Sequence, residues 1–130
     1  MSAAAVLALF AAGVVGAVSR WLTSRLFAGR RFPVAVLVVN VVGSGIGGAV
    51  LALATSYQIS NSVRLVLLTG LCGGLTTFST FSVDTIQLVL AGRAKDAIVS
   101  VVANLVLGLL VAGLVYSIVW GLAPPLKIPI

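Results

Sequence analysis

Four long apolar stretches, separated by short polar or charged links, organise this sequence. The first, Ala3 to Val18, carries no polar side chain and runs into Ser19, Arg20 and Trp21. A secretory leader would place basic residues ahead of such a core, and none stand there. To cross a bilayer the segment must continue to Leu22 or Leu26, taking Arg20 in with it, so a span over 3–26 is expected. The basic link "SRLFAGRRFP" closes on Pro33, a natural first-turn residue for the next helix. The second stretch, Val34 to Ala54, is interrupted only by Asn40 and Ser44, and predicts a span over 34–55. "TSYQISNS" reads as a polar loop with helix-start residues at its end. The third stretch covers 63–91, long for one crossing. After the charged link "GRAKD", the fourth covers 97–120 and holds Ser100 and Asn104, before "PPLKIP". Four spans place both termini on one side of the membrane.

The third stretch contains an anomaly. At 73–81 it reads "GGLTTFSTF", two glycines and four hydroxyl residues around two phenylalanines, where a membrane helix is normally uniformly apolar. Paired glycines weaken a helix, and the hydroxyls of Thr76 and Thr77 can bond to backbone groups in its place. A break near 73–77, close to mid-membrane, is therefore expected. In lipid, freed amides and carbonyls are tolerated only where protein, water or an ion satisfies them. Interrupted membrane helices use such carbonyls to hold cations; the bland reading is a simple kink.

Composition fixes the class. The 130 residues are 61% hydrophobic and 8% charged, with a mean hydropathy of +1.27, too little charge to cover a soluble surface. At roughly 20 residues per crossing the chain holds about four spans, which makes 1–130 a single all-α membrane domain in contact with the lipid bilayer. The net charge of +6 comes from eight Lys/Arg against two Asp. Those charges fall between the apolar runs, where they suit membrane topology and not nucleic acid. His and Glu are absent, Asp84 and Asp96 are the acids, and Cys72 is the lone cysteine. Hydrolase triads, carboxylate pairs and thiol or imidazole metal sites are thereby excluded, so no enzyme is expected. The first and third loops carry Arg25, Arg30, Arg31, Arg93 and Lys95, against Arg64 and Lys127 on the other side. That bias puts the first-loop side in the cytoplasm.

Helical spacing sorts the segment after the break. Phe78 and Phe81 share a face, as do Thr77 and Thr80, and Ser79 and Ser82. A phenyl ring has a positive edge, so two ring edges can face a small anion while hydroxyls donate to it. Aromatics at this spacing are more often simple packing. Arg20 and Asn40 lie toward the same membrane face. Asn40 stands seven residues past Pro33, roughly 10 Å into the membrane by helix rise. A guanidinium and an amide donor at one mouth suit an anion, although an arginine near a helix end can equally snorkel to the interface. Ser100 and Asn104, four apart, either extend a polar track or bond to neighbouring helices. Asp84 approaches the interface, within reach of a loop arginine. Gly43 with Gly47, and Ser44 with Gly48, form small-residue pairs that serve either packing within one subunit or a subunit interface. Four helices hardly enclose a polar pathway alone, so an oligomer is expected.

The segments "GAVSRW" at 16–21, "VLVVNVVGSGIGG" at 36–48 and "GLCGGLTTFSTFS" at 70–82 resemble the Fluc (CrcB) fluoride channels of microbes, over essentially the whole chain. The resemblance implies an antiparallel dimer of dual-topology subunits in the bacterial plasma or inner membrane, exporting fluoride passively and rejecting chloride. On that resemblance Phe78 and Phe81 are the pore phenylalanines, Asn40 the pore asparagine and Arg20 the vestibule arginine. Thr77, Ser79 and Thr80 belong to the hydroxyl-rich segment. The backbone carbonyls of Gly73 and Thr76 would hold a structural, untransported sodium ion at the dimer centre. The family often has a tyrosine and a serine on the fourth span, where this chain has Ser100 and Asn104. The second subunit is another copy, or in the alternative a paralogous chain inserted the opposite way. A small multidrug exporter has the same size, but needs a membrane carboxylate that the first span lacks. A non-transporting assembly subunit would explain the glycines but not Arg20, Asn40 and the phenylalanine segment together.

Overall fold

The structure, a computed structural model, describes residues 2–56 and 58–123. Tyr57 of the middle loop and residues 124–130, which include Lys127 and the "PPLKIP" segment, lie outside the described residues. The described residues are helical, with four helices long and apolar enough to cross a membrane: Ala3–Leu26, Val34–Thr55, Asn61–Leu90 and Ala94–Leu122.

The first two spans are single helices, α1 (Ala3–Leu26) and α2 (Val34–Thr55). The Ser2 hydroxyl caps α1 by accepting from the Ala5 amide at 3.3 Å. The third span is segmented. It opens as α3 (Asn61–Leu65), capped by the Ser60 hydroxyl on the Val63 amide. It then runs through a π-helical stretch, Val66–Cys72, and a short turn, α4 (Gly73–Leu75). Thr76 leaves the helix with φ −77° and ψ 158°, and α5 (Ser79–Leu90) resumes three residues later. The last span is the continuous α6 (Ala94–Leu122). The third span thus begins at Asn61, directly after its Ser60 cap and two residues before the apolar run itself. The fourth begins at Ala94, directly after the turn at Gly92, so Lys95 and Asp96 ride in its first turn.

Two helix pairs form the core, α2 against α6 and α1 against the π-helical stretch. Small residues set both. At Gly48 an added Cβ would collide with the Ala112 carbonyl of α6, and at Gly43 with the Thr76 methyl. At Gly74 it would strike the Gly13 carbonyl of α1. The small-residue face of α2 therefore serves packing inside the subunit at Gly43 and Gly48, one of the two uses the sequence left open. Gly48→Leu is expected to destabilise the chain by about 1–3 kcal/mol, the usual cost of overpacking; a chemical-denaturation midpoint in micelles measures it. A wild-type midpoint would mean that α2 and α6 do not approach this closely.

The outer faces remain apolar and uncovered. Leu7, Phe10, Leu26, Leu90, Leu109 and Leu110 are each more than 60% exposed, which lipid solvates at no cost.

Candidate functional site

The break in the third span is made by side chains that capture backbone amides. In an uninterrupted helix the Thr77 and Thr80 amides would close on the carbonyls four residues back, Gly73 and Thr76. Here the Thr77 amide donates to Asn40 Oδ1 at 2.9 Å, and the Thr80 amide to the Thr77 hydroxyl at 3.1 Å. The second contact is a helix cap, so Thr77 starts α5 in the manner of a Ser/Thr N-cap. The Thr76 hydroxyl folds back onto the Cys72 carbonyl at 2.9 Å, alongside its own amide. As a result the Gly73 carbonyl has no hydrogen-bond donor among the described residues. The Thr76 carbonyl has one, Arg20 Nη1 from α1 at 3.1 Å. A carbonyl oxygen has two lone pairs, so Thr76 keeps one free.

Asn40 holds the break from the other side. Its amide spans the Thr77 peptide, accepting from the amide and donating through Nδ2 to the Thr77 carbonyl at 3.3 Å. Nδ2 also donates to Asn104 Oδ1 at 3.0 Å, and Asn104 Nδ2 donates to the Ser100 carbonyl at 2.9 Å. A chain of amides therefore links α6, α2 and the break, and every donor and the main acceptor of Asn40 are engaged. Networks of this kind polarise one another where water is scarce. Thr77 is buried among them.

These residues border a groove of about 490 Å³ on the surface of the subunit. Asn40, Ser44, Thr77 and Asn104 supply its polar wall, and Phe78 and Phe81 flank it. The two rings lie 6.1 Å apart between centroids and are tilted by 43°. Phe78 is 81% exposed, the least covered phenylalanine of the segment, and its ring contact is with Phe81. The groove is open along one side.

The structure thus brings together Asn40, Thr76, Thr77, Phe78, Phe81 and Asn104, with Arg20 behind the break on the Thr76 carbonyl. Ser79 and Thr80 cluster with the Thr77 hydroxyl, at 3.4 and 3.0 Å, but are exposed and stand off the groove wall. Ser100 is buried at 1% exposure, and its hydroxyl has no partner among the described residues. Only its carbonyl joins the amide chain. Ser44 lines the groove, a role that the sequence hid behind its place in a small-residue pair. Asp84 differs from expectation too. It forms no ion pair among the described residues, because Arg93, the arginine nearest in sequence, is held by Asp96 through Nε and Nη2, both at 2.7 Å.

Among the described residues no group of His, Cys, Asp or Glu could ligate a metal. The oxygens that fit a cation are backbone ones. The free Gly73 carbonyl and the remaining lone pair of Thr76 are neutral, hard donors suited to an alkali ion, and one chain offers too few of them for a full shell.

The fold and this site define a small multi-pass membrane protein whose third span opens its backbone beside a polar, aromatic-flanked groove. The family profile described as CrcB-like protein, Camphor Resistance (CrcB), matches residues 7–116, and the chain belongs to that family. The fluoride-specific ion channel FluC 1 of Yersinia pseudotuberculosis serotype I (strain IP32953) is 43% identical over 101 residues, covering 75% of this chain and 80% of its own length. The fluoride-specific ion channel FluC of Nitrobacter winogradskyi is 38% identical over 115 residues, 84% of this chain and 91% of that one. FluC 2 of Rhodococcus jostii, of the same description, is 42% identical over 103 residues, 78% and 87% of the two chains. With four apolar spans and bacterial relatives, this is a multi-pass bacterial membrane protein of a channel family, not an enzyme.

Proposed function

We propose that the chain is a fluoride-selective channel that lets cytoplasmic fluoride leave passively, working as an antiparallel dimer with a structural sodium ion at its centre. The observation that carries the reading is the half-open groove, where two phenylalanine rings border the Asn40–Asn104 amide chain on a backbone released from its helix. Fluoride is small and strongly hydrated, so it must exchange water for several close donors. The N–H of Asn104 Nδ2 that the Ser100 carbonyl leaves free and the ring edges would be such donors, with Asn40 holding Asn104 and the Thr77 peptide in place. A groove open along one side needs a second subunit to close it. A twin inserted the opposite way would also bring its own Gly73 and Thr76 carbonyls. Sodium bound by these carbonyls would supply a fixed positive charge between the two copies. Arg20 keeps the Thr76 carbonyl turned toward α1 and adds charge behind the break. Hydrogen fluoride that enters under acid conditions dissociates inside, and the membrane potential drives the anion out.

The test is efflux from liposomes carrying only this purified chain, read in parallel with fluoride and chloride electrodes. Rapid fluoride release with chloride retained is expected. If folded protein releases neither ion, the homodimer reading fails. Recovery of fluoride release on adding an oppositely inserted paralogue would then identify the heterodimer, and no recovery would leave an assembly subunit. The sodium proposal has its own measurement. Purification with sodium replaced by N-methyl-D-glucamine is expected to shift the cross-linked population from dimer toward monomer. An unchanged dimer fraction would exclude a structural role for the ion.

A further inference from the structure

Away from the groove, the surface where the first and third loops meet holds a second polar concavity. It has a volume of about 260 Å³ and is bordered by Arg30, Arg31, Arg93, Gln87 and Asp84, together with the apolar Leu88 and Ala91. It sits at the membrane surface, at the level where α1 and α5 end and α2 and α6 begin. Asn40 lies roughly 10 Å deeper along α2, and the concavity shares no lining residue with the groove.

The concavity is braced. Gly29 (φ 79°) and Gly92 (φ 72°) turn the two loops through left-handed conformations. Arg93 is fixed by Asp96 and donates through Nη1 to the Arg31 carbonyl at 2.7 Å. That bond fastens the first loop to the third and holds Arg30 and Arg31 at the rim. The guanidinium groups of Arg30 and Arg31 and the amide of Gln87 have no hydrogen-bond partner among the described residues. Two helices also begin here, α2 and α6, neither with a side-chain cap on its free amides. Both present the positive ends of their dipoles. Against this stands one carboxylate, Asp84. With Arg93 paired to Asp96, Arg30 and Arg31 still outweigh Asp84, and their unpaired donors call for an acceptor with several oxygens.

We propose that this pocket binds a phosphate group at the membrane surface, the headgroup of an anionic phospholipid or a free phosphate. Arginine forks match phosphate oxygens in pairs, and Leu26 and Leu90, each at least 80% exposed at the same level, offer acyl chains an apolar flank.

Native mass spectrometry of the purified protein, with phosphatidylglycerol or phosphatidylcholine added, reads the binding. Phosphatidylglycerol should be retained in preference, and R30Q/R31Q should weaken that retention about thirtyfold, at about fivefold per arginine near a membrane surface. R25Q removes a charge from the same side but outside the pocket, where Arg25 lies over the Trp21 ring at 5.2 Å. It should retain lipid as the wild type does. D84N removes the opposing carboxylate and should strengthen retention several-fold, a reading that holds even if the double variant folds poorly. Competition by millimolar inorganic phosphate would identify a free anion as occupant, and its failure to compete would identify the lipid. Equal retention of the two lipids, a loss in R25Q as large as in R30Q/R31Q, or no gain in D84N would overturn the proposal.

Discussion

Asn40→Leu is expected to abolish fluoride efflux from liposomes, with a loss of at least about a hundredfold. The substitution keeps the size of the side chain but removes an acceptor and two donors at once. It leaves the Thr77 amide, the Thr77 carbonyl and Asn104 Oδ1 without partners. Each buried group so orphaned costs on the order of 1–3 kcal/mol. A rise of about 3 kcal/mol along the ion's path corresponds to about a hundredfold in rate. The Thr77 amide is then free to close on Gly73, which would remove the released carbonyl as well. Asn104→Leu should do less, about tenfold, because Asn40 keeps both of its bonds to Thr77. Electrode traces on the two variants, matched for reconstituted protein, check the order. Equal losses would mean that the amide chain acts only through stability, and wild-type flux in Asn40→Leu would remove Asn40 from the pathway.

The second large effect is expected from Phe78→Ile with Phe81→Ile. Isoleucine preserves apolar bulk but has no ring edge, so the groove loses its weakly positive flanks. Flux should fall about a hundredfold, on the scale of about 1.4 kcal/mol per tenfold for each ring. The fold should survive, since Phe78 is 81% exposed in the free subunit and contributes little to its packing. Phe10→Ile is the control. Phe10 is 68% exposed on α1, away from the groove, and its loss should leave flux unchanged. Near-normal conduction by the double variant, with the protein folded, would show that the ion does not pass the rings.

Much of this site is legible in the sequence because the bilayer makes polarity conspicuous. A hydroxyl-rich segment beginning with two glycines cannot hide in an apolar run, so the break was readable to within a residue or two. So was the need of Asn40 for partners, since lipid would leave its amide unpaired. What stayed hidden depends on which helices meet. Nothing local pairs Asn40 with Asn104, 64 residues away, or sends Arg20 to the Thr76 carbonyl rather than to the membrane surface. The π-helical stretch leaves no compositional mark, because "VLLTGLC" is an ordinary membrane sequence. Its irregularity accompanies the tight approach to α1, a property of two segments together. Ser79 and Thr80 carry hydroxyls as Thr77 does, and only the turn at Thr77 decides that they stand off the groove.

The capture of the Thr77 amide by Asn40 has a consequence for biogenesis. Asn40 belongs to the second span, so the irregular backbone at 76–78 is specified by a neighbour and not by the third span alone. As it leaves the insertion machinery, Asn61–Leu90 can enter the membrane as one closed helix, with no exposed amides to penalise it. Docking of α2 supplies the Asn40 oxygen that takes the Thr77 amide, one hydrogen bond exchanged for another, while the Thr77 hydroxyl takes the Thr80 amide within the span itself. Partition into lipid and opening of the backbone can thereby be separate steps, so the same residues can satisfy two requirements that conflict if imposed at once.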